Sequence, residues 1–283
     1  MDPNALFEGE IEEEAQSNFW FPLTPGKLAV LAAERPGRLA GVTLLCGLLA
    51  AAVLWNTLAG CWFPILEAAC RALPERGAAI RDGRLFWPNP ERRALAANEY
   101  LALIVDPEAD WPRGEEADLT VSLLRSGLGA TWILGDAKQP YPAGLRLDLT
   151  RAAVLPVWEA WRPHVKFFLF LGLWFGWLAF AGVQAALLLP PLRLLARLFS
   201  ARPPLGTTAI AAFGAQAAGA CILALLAYLY GFRVFGLLEF AGGAGVIFLG
   251  NLCLATATAL RLPEAAPNKP LSSPHNPFIS LEE

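Results

Sequence analysis

Few side chains in this chain are placed to do chemistry, and the first is a carboxylate in an apolar run. Glu239 is the single charged residue between Val234 and Leu260. A carboxylate in such a run is costly enough that ligand or ion handling is the first hypothesis. Against it stand a side chain that reaches an interface, or one that pairs with Arg233 or Lys166. Three amides, Gln184, Gln216 and Asn251, also fall in apolar runs. They could bind a polar ligand, but the simpler role is hydrogen bonding between helices, about 0.6 kcal/mol for each bond. Phe278 and Ile279 form the only adjacent pair of large apolar residues in the tail from Pro263 to Glu283. They are a candidate docking point for a protein partner.

Other chemistry finds little support. A zinc site needs three or four convergent ligands, and the two histidines, His164 and His275, have no partners at a useful spacing. Cys46, Cys221 and Cys253 sit in apolar runs, where a thiol acts as a small core residue. Cys61 and Cys70 could pair in an oxidising compartment, but a helical segment between them would hold them about 13 Å apart, beyond bridging reach. Ser17, Ser126 and Ser200 lie in no nucleophile elbow, and no phosphate-cradling glycine loop is present. Asp82, Asp106, Asp110, Asp118 and Asp136 could include an acid–base pair, yet aspartate in surface turns is the ordinary expectation. The expectation is a non-enzymatic protein without a cofactor.

The elements that must carry these residues follow from composition. Of the 283 residues 55% are hydrophobic and 17% charged, which points to lipid as the solvent. A net charge of -3 offers no basic footprint for nucleic acid. Uncharged stretches run from Leu39 to Leu66, Phe167 to Leu192 and Pro203 to Phe232. With the run containing Glu239 they make four segments longer than the roughly 20 residues a helix needs to cross hydrocarbon. The spans are predicted near 39–60, 166–189, 207–230 and 234–260. Glu8, Glu10, Glu12, Glu13 and Glu14 precede the first of them, unlike the basic start of a secretory signal, so that span is expected to remain as an anchor.

Lys27, Arg35, Arg38, Arg193, Arg197, Arg202, Arg261 and Lys269 all flank spans on one side, which the positive-inside rule assigns to the cytoplasm together with both termini. Arg233 alone occupies the short turn opposite. Trp55, Trp62, Trp158 and Trp161 would form an outer aromatic belt. Two stretches are expected to lie flat in the cytoplasmic interface: a short helix after Thr24-Pro25 carrying Leu28 and Leu31, and residues 191–203 with Leu195, Leu198 and Phe199 toward lipid.

Residues 61–162 hold 12 of the 22 Lys and Arg and six of the seven Asp, so they are built for water. Pro64 opens a short helix through Leu73, and Asp82-Gly83 between Ala79 and Trp87 favours a tight hairpin. Strands are predicted at Tyr100–Val105, Leu119–Leu124 and Ala130–Leu134, then a helix at Leu149–Arg162 kinked by Pro156. Four spans, an outer domain between the first two, the Asp82-Gly83 hairpin and an apolar strand ending at Asp106 resemble a family of uncharacterised bacterial membrane proteins, one branch of which is associated with maltodextrin utilisation. The resemblance implies a fold and a cytoplasmic-membrane location, and no functional residues.

The predicted architecture is an α-helical polytopic membrane protein: a cytoplasmic segment 1–38 and tail 261–283, a first span at 39–60, a mixed α/β extracytoplasmic domain at 61–162, and a bundle of three spans within 163–260. Both ends have the composition of segments that do not fold alone. The expected function is a subunit or scaffold whose outer domain binds a protein or carbohydrate, with the bilayer and other membrane subunits as partners. The alternative is a small transporter or lipid-handling protein using Glu239 and the glycines of the fourth span.

Overall fold

The computed structural model describes residues 24–198 and 204–262. Helices dominate it. Thr24 caps α1 (Pro25–Glu34) by accepting from the Lys27 N–H, and Pro25 opens the helix at a position where no donor is needed. Then come α2 (Pro36–Cys61), α3 (Phe63–Ala72), eight strands, α4 (Arg151–Leu198), α5 (Leu205–Gly214), α6 (Gln216–Gly231) and α7 (Leu237–Ala259). Four helical stretches are long and apolar enough to cross a membrane, at Pro36–Ala72, Arg151–Leu195, Leu205–Gly231 and Leu237–Ala259.

The described chain forms two compact units. The first gathers residues 24–45, 179–219 and 249–262. Its core is made of small and aliphatic side chains: Ala185, Leu188 and Leu192 of α4 meet Ala212 of α5, Ala215, and Ala255 and Ala259 of α7. Beside it, Leu28, Ala29 and Ala32 of α1 pack on Leu39, Ala211 and Leu262. A Cβ at Gly214 would fall 2.6 Å from Leu39, so glycine is required for that approach.

The second unit comprises Cys46–Leu178 and Ala220–Phe248 and contains both sheets. The strands β1 (Ala79–Arg81), β2 (Arg84–Phe86) and β8 (Arg146–Asp148) make a three-stranded antiparallel sheet in the order β2-β1-β8. Asp82 and Gly83, at φ 48° and 75°, supply the two left-handed residues of the predicted hairpin turn. The larger sheet runs β3 (Arg93–Ala97), β4 (Leu101–Asp106), β5 (Leu119–Leu124), β6 (Gly127–Trp132), β7 (Gly135–Pro140) in that order. Only β4 and β5 pair in parallel. Ile80, Leu85, Val105 and Tyr141 join the two sheets in one core.

Several expectations need correction. The short helix after Thr24 is present, and helical spacing puts Leu28, Ala29 and Ala32 on one face, which is buried in protein. Residues 191–198 do not form a separate segment, because α4 runs unbroken for 48 residues through Pro156, Pro190 and Pro191. Each proline removes one donor, which the remaining ladder of a long helix tolerates. Leu195 and Leu198 therefore belong to α4, and Phe199 lies outside the described residues. Ile133 and Leu134 are not strand residues but the β6–β7 turn.

Candidate functional site

The densest polar constellation of the second unit lies where the α6–α7 turn meets the sheet. Gly231 ends α6, and Arg233 follows at φ 58°, a conformation unusual outside glycine. Its guanidinium Nη1 donates to Asp118 Oδ2 at 3.1 Å, and its Nε sits 2.7 Å from Glu99 Oε2 as an ion pair without hydrogen-bond alignment. It also lies 4.2 Å from the Tyr100 ring centre, where the face of the aromatic attracts a cation. Asp118 accepts a second bond from the Tyr230 hydroxyl at 2.7 Å.

Tyr100 completes the network. Its hydroxyl donates to the Tyr230 and Gly231 carbonyls at 3.2 and 2.9 Å, at the C-terminus of α6, where the Tyr230 carbonyl also accepts from the Arg233 N–H. Burial above all pushes this phenol up, so it stays a donor. Asn98 fixes the approach: its side-chain oxygen accepts from the Tyr100 and Leu101 N–H groups, and its amide nitrogen donates to the Cys61 carbonyl at 2.8 Å. Residues of distant segments, around Cys61, Asn98–Tyr100, Asp118 and Tyr230–Arg233, thus meet at one helix end. The arrangement neutralises charge and fixes geometry, and it leaves no free nucleophile.

Glu239 lies apart from it. The residue is exposed at the third position of α7, and its Oε2 accepts from the Gly236 N–H at 3.0 Å. That is the backward half of a capping box, with the carboxylate also favoured by the helix dipole. It pairs with neither of the cations considered for it, since Arg233 is held by Asp118 and Glu99 and Lys166 lies over the Phe63 ring.

The three amides belong to the first unit and are all buried. Gln216 and Asn251 meet, the Asn251 amide donating to Gln216 Oε1 at 2.8 Å. Gly219 makes room for this pair, because a Cβ there would overlap the Asn251 side chain. Gln184 is 4% exposed, and among the described residues neither its oxygen nor its nitrogen has a hydrogen-bond partner. Each amide stands one helical turn from a residue of the alanine–leucine core, namely Leu188, Ala212 and Ala255, on the same side of it. Phe278 and Ile279 lie outside the described residues.

Cys61 and Cys70 are free thiols. Among the described residues no group of three or more His, Cys, Asp and Glu side chains converges as a metal site. Sequence reasoning missed the Arg233 network, although one signal was present: Arg233 is the lone cation in a short turn. Comparison with protein-family models, with curated proteins and with solved structures gives no match.

Proposed function

We propose that the protein is a four-pass subunit of a bacterial cytoplasmic membrane, with both termini inside and the sheet region displayed outside to bind a protein or carbohydrate partner. The observation that carries this reading is the fastening of the sheet to the α6–α7 turn by Arg233, Asp118, Glu99 and the two tyrosines. A display domain needs a rigid seat, and this network supplies one at the end of an apolar helix. The only short-turn cation on the outer side is neutralised in the process, so it does not oppose the orientation set by the other flanking cations.

Other features fit the same membrane boundary. Trp55 Nε1 bonds the Lys166 carbonyl at 2.9 Å, Trp158 packs on Phe63, and Trp161 is exposed, as an interfacial belt requires. Ile133 and Leu134, the latter 86% exposed, stand at a turn whose adjoining residues line one cleft with the first turn of α7. Apolar residues at that place are costly in water and suited to a lipid surface. Glu239 serves as a helix cap here, which removes the main support for a transporter.

Affinity purification of the full chain in mild detergent tests the reading. A stoichiometric membrane companion is the expected result. A chain that emerges alone, with residues 79–148 labelled from the cytoplasmic side, would overturn both parts.

A further inference from the structure

The small sheet carries an arrangement that folding alone disfavours. In β1, Arg81 is the register partner of Arg84 on β2 and of Arg146 on β8. Directly opposed residues of antiparallel strands point to the same face, and strands lie about 4.8 Å apart, so the three arginines start from Cα positions in one row about 10 Å long. Ile80 and Leu85 on the other face are buried in the core, and all three arginines are exposed. Beyond β2 the Arg125 carbonyl accepts from the Leu85 N–H at 2.9 Å, so the backbone of that residue borders the sheet.

Like charges directly opposite one another destabilise a sheet. A solvated face would place carboxylates between them, as happens elsewhere in this region: Arg92 pairs with Asp106 and Glu115, Arg151 with Glu75, Arg162 with Glu67. Among the described residues no carboxylate lies within ion-pairing distance of Arg81, Arg84 or Arg146. Beside the row opens a cleft of about 560 Å³, lined by Arg81, Asp82, Arg146 and Asp148 among others. Asp148 spends one oxygen on the Thr150 N–H at 2.9 Å, and Asp82 sits in the hairpin turn. The Asp148 carboxyl is held down chiefly by its bonds to Thr150 and also by Arg81, so two carboxylates stand against three guanidinium groups.

We propose that this face of the β2-β1-β8 sheet binds a phosphate group. Guanidinium forks match phosphate oxygens two at a time, and an anion seated among the opposed cations relieves their repulsion. The row can take one phosphate across Arg81 and Arg146 or neighbouring phosphates along its length. The inference is independent of which side of a membrane the sheet faces.

The test uses the full chain in a maltoside detergent, which brings no phosphate, titrated in one arm with inorganic pyrophosphate and in the other with phosphatidylglycerol added to the micelles. Saturable binding that weakens with added salt is expected in at least one arm. Pyrophosphate alone identifies a soluble phosphate compound, and phosphatidylglycerol alone identifies a headgroup. Each arginine replaced by Gln is expected to weaken binding by about tenfold, with Arg81→Lys retaining part of the affinity because the charge remains and the fork is lost. The Arg81→Gln/Arg146→Gln chain should melt no lower than the wild type, since removing opposed charges relieves strain on the sheet. Absence of saturable binding in both arms, or equal affinity in that well-folded double variant, overturns the proposal.

Discussion

Replacing Arg233 by Met keeps an apolar stem over Tyr100 and removes the charge that holds the sheet to the α6–α7 turn. At 3.1 Å from Asp118 the gross attraction between unit charges is about 5 kcal/mol at an effective dielectric constant near 20. Desolvation offsets much of that. The Arg233 side chain is 27% exposed and Asp118 is 18% exposed, so losing the pair should cost less than the 3–5 kcal/mol typical of a fully buried one, about 2 kcal/mol. Combining Arg233→Met with Asp118→Asn in a double-mutant cycle separates the pair from the rest of each side chain. Hydrogen exchange in the full chain reads the result locally, at the amides of β5 and of the turn. A loss of 2 kcal/mol is about thirtyfold faster exchange there, with little change at the far end of α4. A coupling energy under about 0.5 kcal/mol would refute the reasoning and reduce the cluster to an incidental surface contact.

Further outcomes follow from the same geometry. Gly219→Ala should break the Gln216–Asn251 bond and cost about 1–3 kcal/mol, and shortening Asn251 to Ala in the same chain should recover part of the melting temperature. Glu239→Gln keeps an acceptor for the Gly236 N–H and should melt like the wild type, whereas Glu239→Ala should lose about 0.5–1 kcal/mol; a solute-uptake defect in the Gln variant would instead revive the transport reading. Burial pushes the Tyr141 phenol up to about 12 in the folded chain, above the unfolded value near 10. The folded state therefore favours the protonated ring, and its contribution is complete below pH about 10 and lost as pH rises through about 12. Phenolate absorbance and near-ultraviolet dichroism should change together in that window, and Tyr141→Phe should remove the coincidence.

What was legible in the sequence is what local pattern encodes. Long uncharged runs specify long apolar helices, Asp82-Gly83 specifies a hairpin, and β4 and β5 announce themselves by continuous or alternating apolar residues. Strand β7, Gly-Asp-Ala-Lys-Gln-Pro, carries no such signal because it is an exposed edge whose place is set by backbone pairing with β6. The length of α4 was hidden by its prolines. Periodicity also cannot say whether an apolar helix face meets lipid or protein, and the face of Leu28, Ala29 and Ala32 meets protein. For the site, the depth of Gln216 and Asn251 in their runs was visible, but their mutual bond joins positions 35 residues apart. Arg233 and Asp118 are 115 apart, and only the folded chain brings them together.

The Arg233 cluster links two properties that are usually argued separately. On the proposed topology a cation in a short outer turn runs against the positive-inside rule. Its charge is cancelled by Asp118 and Glu99, both contributed by the segment that the same topology sends outside. The sheet therefore depends on Arg233 for its seat, and Arg233 depends on the sheet for its neutrality. The left-handed backbone at Arg233 fits this view, because a non-glycine residue holds φ 58° only where its surroundings fix it, and here two carboxylates and an aromatic face do so. Glycine at that position would relax the backbone and abolish the pairing. The strained arginine is thus better explained by what its side chain must reach than by the turn it occupies.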